Sequence, residues 1–167
     1  MFLRSGFSLI ELMVTIALVS LLLTLGVPSF NALLRNISLN TQANNFVAAI
    51  NLARSEAIRR NTVVTLSASA DNLTQHHWEA GWQIWVDGNG NGILDNGELL
   101  RGFPDMGGGV LSSNTSLLRF NSEGFLDGRT PLARVFSLRP DECRNEPSRD
   151  INITVAGRPS ITEASCP

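Results

Sequence analysis

Gly6-Phe7-Ser8-Leu9-Ile10-Glu11 opens onto a run with no formal charge from Leu12 to Leu34, and the reading of this stretch decides the fold. A helix needs roughly 20 predominantly apolar residues to cross a bilayer. The run is long enough, so it either spans a membrane or is removed as a signal. A secretory signal has a basic start, a short apolar core and a small-residue cleavage site after that core. Arg4 supplies the basic start, but no A-x-A pattern follows the apolar run. Glu11 also stands where a signal peptide would carry positive charge. An isolated carboxylate in hydrocarbon is expensive and persists mainly where a partner neutralises it. The natural partner is a newly made amino terminus.

The whole chain has 167 residues, 43% hydrophobic and 17% charged, which suits one globular domain plus an anchor. Thirteen basic residues, all arginine, stand against 15 acidic ones, for a net charge of −2. Bulk charge therefore does not recruit nucleic acid. Gly26 and Pro28 interrupt the apolar run, and a kink rather than a stop is predicted there. Helical periodicity then resumes, with Phe30, Leu33, Leu34, Ile37, Ala43, Phe46, Val47, Ile50, Ala53 and Ala57 at spacings of three and four and Arg35, Asn40, Asn44, Asn51, Arg54 and Arg59 on other faces. One long helix from Phe7 to about Arg60 follows.

Beyond Asn61 the pattern changes to short β-prone runs: Thr62–Ser67, Trp82–Val86, Leu99–Phe103, Leu117–Phe120, Ala133–Leu138 and Ile151–Val155. Gly, Asn, Asp and Pro clusters separate them, and the connections are too short for parallel crossovers, so antiparallel pairing is predicted. The segment Arg139–Arg149 reads as a polar loop. The fold class is α+β: a long N-terminal helix, one half membrane-spanning and the other amphipathic, packed on a small antiparallel β-rich head.

From Asp87 the sequence reads Asp-Gly-Asn-Gly-Asn-Gly-Ile-Leu-Asp-Asn-Gly-Glu, the full EF-hand calcium-loop template, with glycine sixth and glutamate twelfth. Asp87, Asn89, Asn91, the backbone carbonyl of Ile93, Asp95 and Glu98 have the spacing to surround a hard cation. Predicted strands flank the loop, so it would sit in a hairpin between the Trp85 and Leu99 sides. The pairs Asn89-Gly90, Asn91-Gly92 and Asn96-Gly97 equally make a plain hairpin turn. Both readings stay open: no cofactor is required, and calcium is one the loop could accept. A loop of three carboxylates outside the cytoplasm would bind in the weak extracellular range, about 10⁻⁴ M or poorer.

Neither G-x-S-x-G, H-E-x-x-H nor a paired-acid signal is present to support an enzyme. His76 and His77 are adjacent and read as part of an exposed loop before Trp78. Trp78, Trp82 and Trp85, at strand positions, read as core, as do Phe120 and Phe125.

The first eleven residues carry a recognisable pattern. Met1 to Gly6 followed by Phe7, with Glu11 the fifth residue after the glycine and an apolar run directly behind, resembles the type IV prepilin signal. Arg119-Phe120-Asn121-Ser122-Glu123-Gly124-Phe125, the block from Trp82 to Arg101, and Val155-Ala156-Gly157-Arg158 extend the resemblance to the GspH/FimT group of minor pilins and pseudopilins. This resemblance implies a type IV pilin-like fold, with a leader over residues 1–6, a transmembrane and filament-core helix over 7–29, an amphipathic half of the spine over 30–60, and a β-rich head over 61–167. It further implies cleavage by prepilin peptidase between Gly6 and Phe7, N-methylation of Phe7, and a role for Glu11 in attracting the Phe7 amine of a neighbouring subunit. Cleavage would remove Arg4 with the leader, leaving 12 basic against 15 acidic residues, a net charge of −3. The implied location is the bacterial inner membrane, single-pass with the head in the periplasm, and the implied partners are other minor and major pilins.

With the leader cytoplasmic, Cys143 and Cys166 lie on the oxidising side, where a disulfide forms and persists. It would staple an irregular tail. The FimT-like resemblance also brings a Gly-Arg-x-Arg motif associated with DNA uptake, to which Gly157-Arg158 corresponds. Pro159 and Ser160 follow, so the second arginine is missing. Six arginines and six acids share the segment from Asp127 to Pro167, which leaves no net basic field, and DNA binding through Arg158 is the less favoured reading. Three roles remain: a pilin of a tip or priming complex, a type II secretion pseudopilin, and a pilus-borne DNA receptor for natural transformation.

Overall fold

The computed structural model describes residues 7–72, 75–128, 134–141, 143 and 147–166. The proposed leader, Gly6 included, and Ala133 lie outside them. The chain divides after Ile37 into two units, although one helix, α1 (Leu9–Arg60), contributes to both.

In the first unit every described side chain from Phe7 to Arg35 is exposed. An 18-residue window of α1 reaches a mean hydropathy of 2.3 and is long and apolar enough to cross a membrane. Three of its hydroxyls are satisfied by the helix itself. Thr15 Oγ1 donates to the Leu12 carbonyl (2.8 Å), Ser20 Oγ to that of Ile16 (2.8 Å) and Thr24 Oγ1 to that of Leu21 (2.9 Å). Such internal pairing is what hydrocarbon demands of a polar group. The helix continues through Gly26 and Pro28 without a break.

The second unit begins where the helix acquires a buried face. Leu39, Ala43, Phe46, Ala49, Ile50, Ala53 and Ala57 are buried, at the three-and-four spacing of one stripe. Four of the seven are alanines, so the buried face is made mostly of small side chains. Phe30, Leu33, Leu34 and Ile37, which continue the stripe in sequence, are exposed. The helix ends in a Schellman motif: the Asn61 N–H donates to the Ile58 carbonyl (3.3 Å) and the Thr62 N–H to that of Ala57 (3.2 Å). Asn61 takes the left-handed conformation at φ 51°, which asparagine tolerates better than most residues.

Eight strands follow among the described residues: β1 (Val64–Asn72), β2 (Gln75–Val86), β3 (Leu99–Phe103), β4 (Val110–Ser112), β5 (Leu117–Phe120), β6 (Arg134–Arg139), β7 (Pro147–Ile153) and β8 (Pro159–Ser165). They form two antiparallel sheets, ordered β3-β2-β1-β5 and β4-β6-β7-β8. Helix and sheets meet at Phe46. Its ring stands edge-on to Trp78 (5.4 Å between centroids) and Trp82 (5.1 Å), both from β2, and tilted against Phe136 of β6 (4.9 Å). Trp78 and Phe136 also meet edge-on at 5.0 Å. Edge-to-face aromatic pairs contribute beyond the area they bury, so one helical side chain joins both sheets.

The structure corrects several sequence expectations. β4 and β8 are additional strands. β7 starts at Pro147, inside the segment read as a loop, because Ser148 and Arg149 are buried strand residues whose polarity masks the pattern. His76 and His77 lie within β2, opposite Asp71 and Ala70, rather than in a loop. Trp85 is buried as expected, and it hydrogen-bonds Ser67 Oγ through Nε1 (3.0 Å) beside the main apolar cluster. A register shift between Ile84 and Trp85 accompanies this placement. Phe125 is exposed, unlike Phe120. Cys143 and Cys166 are bonded, with Cα atoms 5.5 Å apart, but the tail they close is an ordered hairpin, β7–β8. Closing a loop of this length contributes roughly 3 kcal/mol in the chain-entropy model.

Truncating Phe46 to alanine should lower the unfolding free energy of the detergent-solubilised chain by about 3–5 kcal/mol. Urea denaturation followed by tryptophan fluorescence measures it. A loss below about 1 kcal/mol would remove Phe46 from the centre of the core.

Candidate functional site

Three features bear on function. The first is the amino-terminal turn of α1. The Glu11 N–H donates to Ser8 Oγ at 3.2 Å, and the Leu12 N–H to the Ser8 carbonyl at 3.2 Å, so Ser8 is the N-cap and Glu11 the third helical residue. Ser8-x-x-Glu11 has the capping-box spacing, and an acid in the first turn complements the helix dipole. Glu11 therefore has a local reason to be acidic in addition to any partner it meets. Phe7 and Glu11 are both exposed.

The second feature is the loop Asp87–Glu98, which lies between β2 and β3 as the flanking runs predict. The Val86 N–H donates to the Glu98 carbonyl (3.0 Å), closing its base. Asp87 Oδ2 accepts the Gly92 N–H (3.0 Å), and Glu98 accepts the N–H groups of Gly88 (2.9 Å) and Asp95 (3.0 Å) through its two oxygens. Gly90, Gly92 and Gly97 all take positive φ, a conformation the template reserves for glycine at the sixth position. Ile93 projects outward and is exposed.

Sequence reasoning does not single out the residue that anchors this loop. Arg119, buried on β5, places Nη2 3.1 Å from Asp87 Oδ2 and Nε 3.4 Å from Asp127 Oδ2. The Asp87 side chain is fully buried and that of Arg119 is 9% exposed, so the pair sits at low dielectric, where removing one partner strands the other's charge. Leu117 to Phe120 reads as a plain strand, and only the three-dimensional pairing of β5 with β1 brings its arginine to the loop.

The third feature surrounds Gly157. The Gly157 N–H donates to the Thr154 carbonyl (2.8 Å) in the β7–β8 turn, at φ 69°. A side chain there would run into the Gly124 carbonyl oxygen and the Phe120 ring. That same Gly124 carbonyl accepts a hydrogen bond from Arg54 Nε at 2.9 Å. The Phe120–Phe125 and Val155–Arg158 phrases thus pack on each other and on the helix, which accounts for both glycines by close approach. Arg158 itself is exposed. Nearby along the helix, Arg59 and Arg60 donate to Glu56 at 2.6–2.7 Å and hold its carboxyl below the usual range, Arg59 contributing most. Those two arginines are engaged by an acid of their own helix.

The helix laid on two antiparallel sheets, behind an exposed apolar amino-terminal segment, defines a pilin-class structural subunit. The model for the family described as type II transport protein GspH matches residues 42–157, and that for the prokaryotic N-terminal methylation motif matches residues 1–27. The chain belongs to the GspH family. A pilin-like protein of Thermus thermophilus, PilA1, is 30% identical over 129 residues, which cover 77% of this chain and 74% of that protein. Two crystal structures of the Pseudomonas aeruginosa type IV minor pilin FimU share the fold with a TM-score of 0.59. They are 22% and 23% identical, cover 77% and 80% of this chain, and are themselves covered at 100% and 98%. These relatives are structural subunits rather than enzymes.

Replacing Arg119 with methionine is expected to destabilise the chain by about 3–5 kcal/mol, with part of the loss recovered in Asp87→Leu/Arg119→Met. Urea unfolding of the single and double variants tests this. A double variant no more stable than the single one would contradict the buried-pair account.

Proposed function

We propose that this chain is a minor pilin of a type IV pilus, a single-pass inner-membrane subunit with its head in the periplasm that joins the tip or priming complex. In this reading prepilin peptidase cuts after Gly6 and Phe7 is N-methylated. The helix then leaves the bilayer to pack beside the spines of other pilins. The observation that carries the reading is the helix surface from Leu12 to Leu34, uncharged and exposed at every described side chain, with Glu11 at its start and a methylation motif around it. An apolar surface of this extent has to be covered. Lipid does so in the membrane, and neighbouring helices do so in a filament. Glu11 is tolerated at the head of that surface when an adjoining protomer brings its Phe7 amine.

The same features serve a type II secretion pseudopilin, which the family description keeps as the alternative assembly. The pilus-borne DNA receptor rests on exposed Arg158. It is the weaker reading, because Gly157 is accounted for by packing and Arg59 and Arg60 are engaged by Glu56.

Mass spectrometry of mature material should find methylated Phe7 at the amino terminus. Glu11→Ala should reduce incorporation into sheared pili at least about tenfold, the equivalent of about 1.4 kcal/mol. Deleting the gene should abolish pili and leave secretion intact. An attached leader, unchanged incorporation of the alanine variant, or a secretion defect with normal piliation would each reject the assignment. Arg158-dependent retardation of DNA at low salt, with pili intact and transformation lost, would replace it with the receptor reading.

A further inference from the structure

The loop Asp87–Glu98 holds a buried polar atom that the fold does not satisfy. Asp87 is 6% exposed, and its Oδ1 accepts no hydrogen bond from any described group. Its other oxygen is engaged by the Gly92 N–H and by Arg119. A buried carboxylate oxygen without a donor is costly, and such an atom calls for a ligand. Because Gly92 is the sixth residue of the loop and Asp87 the first, the Gly92 hydrogen bond turns this carboxylate inward.

Other side chains of the loop converge. Asn89 Nδ2 and Asn91 Nδ2 donate to the same Asp95 oxygen, Oδ2, at 2.7 and 2.8 Å. The side chains at the third, fifth and ninth positions thus already meet at one point. Asn89 Oδ1 and Asn91 Oδ1 each accept one backbone N–H, from Asn91 (3.0 Å) and Ile93 (2.8 Å), and an amide oxygen has two lone pairs. Glu98, at the twelfth position, is held back across the loop by the Gly88 N–H. The loop carries three carboxylates, of which Asp87 alone pairs with Arg119, a guanidinium that Asp127 also shares.

Among the described residues, no three carboxylate, imidazole or thiol groups stand close enough to hold a metal by themselves. A cation must therefore draw on the neutral oxygens as well: the two asparagine amides and the Ile93 carbonyl. An all-oxygen, partly neutral and flexible donor set suits calcium, and not zinc or a soft transition metal. The geometry points to a weak calcium site in this loop. The ion takes Asp87 Oδ1 as a ligand and replaces the two amide donors at Asp95, while Arg119 keeps Oδ2. This inference is independent of which machine the subunit serves.

The test uses the full chain in detergent after chelator treatment. Terbium luminescence excited through Trp85, two residues before Asp87, should appear and be displaced by calcium with half-effect at about 10⁻⁴–10⁻³ M, and not by magnesium at the same concentration. Calcium should also raise the thermal midpoint. Glu98→Gln should weaken the calcium effect about tenfold or more, since the twelfth position supplies the bidentate ligand. Should that variant fail to fold, exposed Asp95→Asn carries the same expectation. Absence of any calcium-displaced signal or midpoint shift up to about 10 mM overturns the proposal, and so does an affinity unchanged in a folded variant.

Discussion

The second unit of this chain depends on one ring. Phe46 projects from the helix between Trp78 and Trp82 on one sheet and Phe136 on the other, and no other aromatic contact in the described residues joins the helix to both sheets. The alanines at 43, 49, 53 and 57 are buried on the same helix face and leave room for that ring. Larger residues there would push the sheets away and separate the contacts that Phe46 unites. Interiors are packed to crystal-like density, so the choice of small residues around a large one is a geometric requirement of this helix face.

Polar groups then fix what the apolar core leaves loose. Arg119 reaches from β5 to Asp87 at the foot of the β2–β3 loop, and Arg54 reaches from the helix to the Gly124 carbonyl. Arg149, 3% exposed, donates from β7 to Asn40 Oδ1 at 2.9 Å. In each case an arginine from one element ties down a residue of another. The absence of lysine suits this use, since a guanidinium loses less freedom per hydrogen bond and is more weakly hydrated than an ammonium.

What the sequence discloses divides by range. The membrane-length run, the helix through Arg60 and the strands Leu99–Phe103 and Leu117–Phe120 rest on local periodicity and are readable directly. Ser8-x-x-Glu11 and the twelve-residue loop are likewise local spacings. β8 escapes notice because Pro159-Ser160-Ile161-Thr162-Glu163-Ala164-Ser165 is an edge strand, mostly exposed, with no buried alternation to betray it. β4 is only three residues long and follows three glycines. The pairing of β5 with β1, the anchoring of the loop by Arg119 and the close approach of Gly157 to Gly124 all join residues more than 30 positions apart. No window along the chain contains them.

The grip on the helix has a mechanical consequence. Its buried face runs from Leu39 to Ala57, about 27 Å at 1.5 Å per residue. A pull along the helix axis would load this contact in shear, straining all of its packed turns at once. A pull across the axis would peel them apart one after another. A subunit built this way resists tension along its spine far better than leverage against its head.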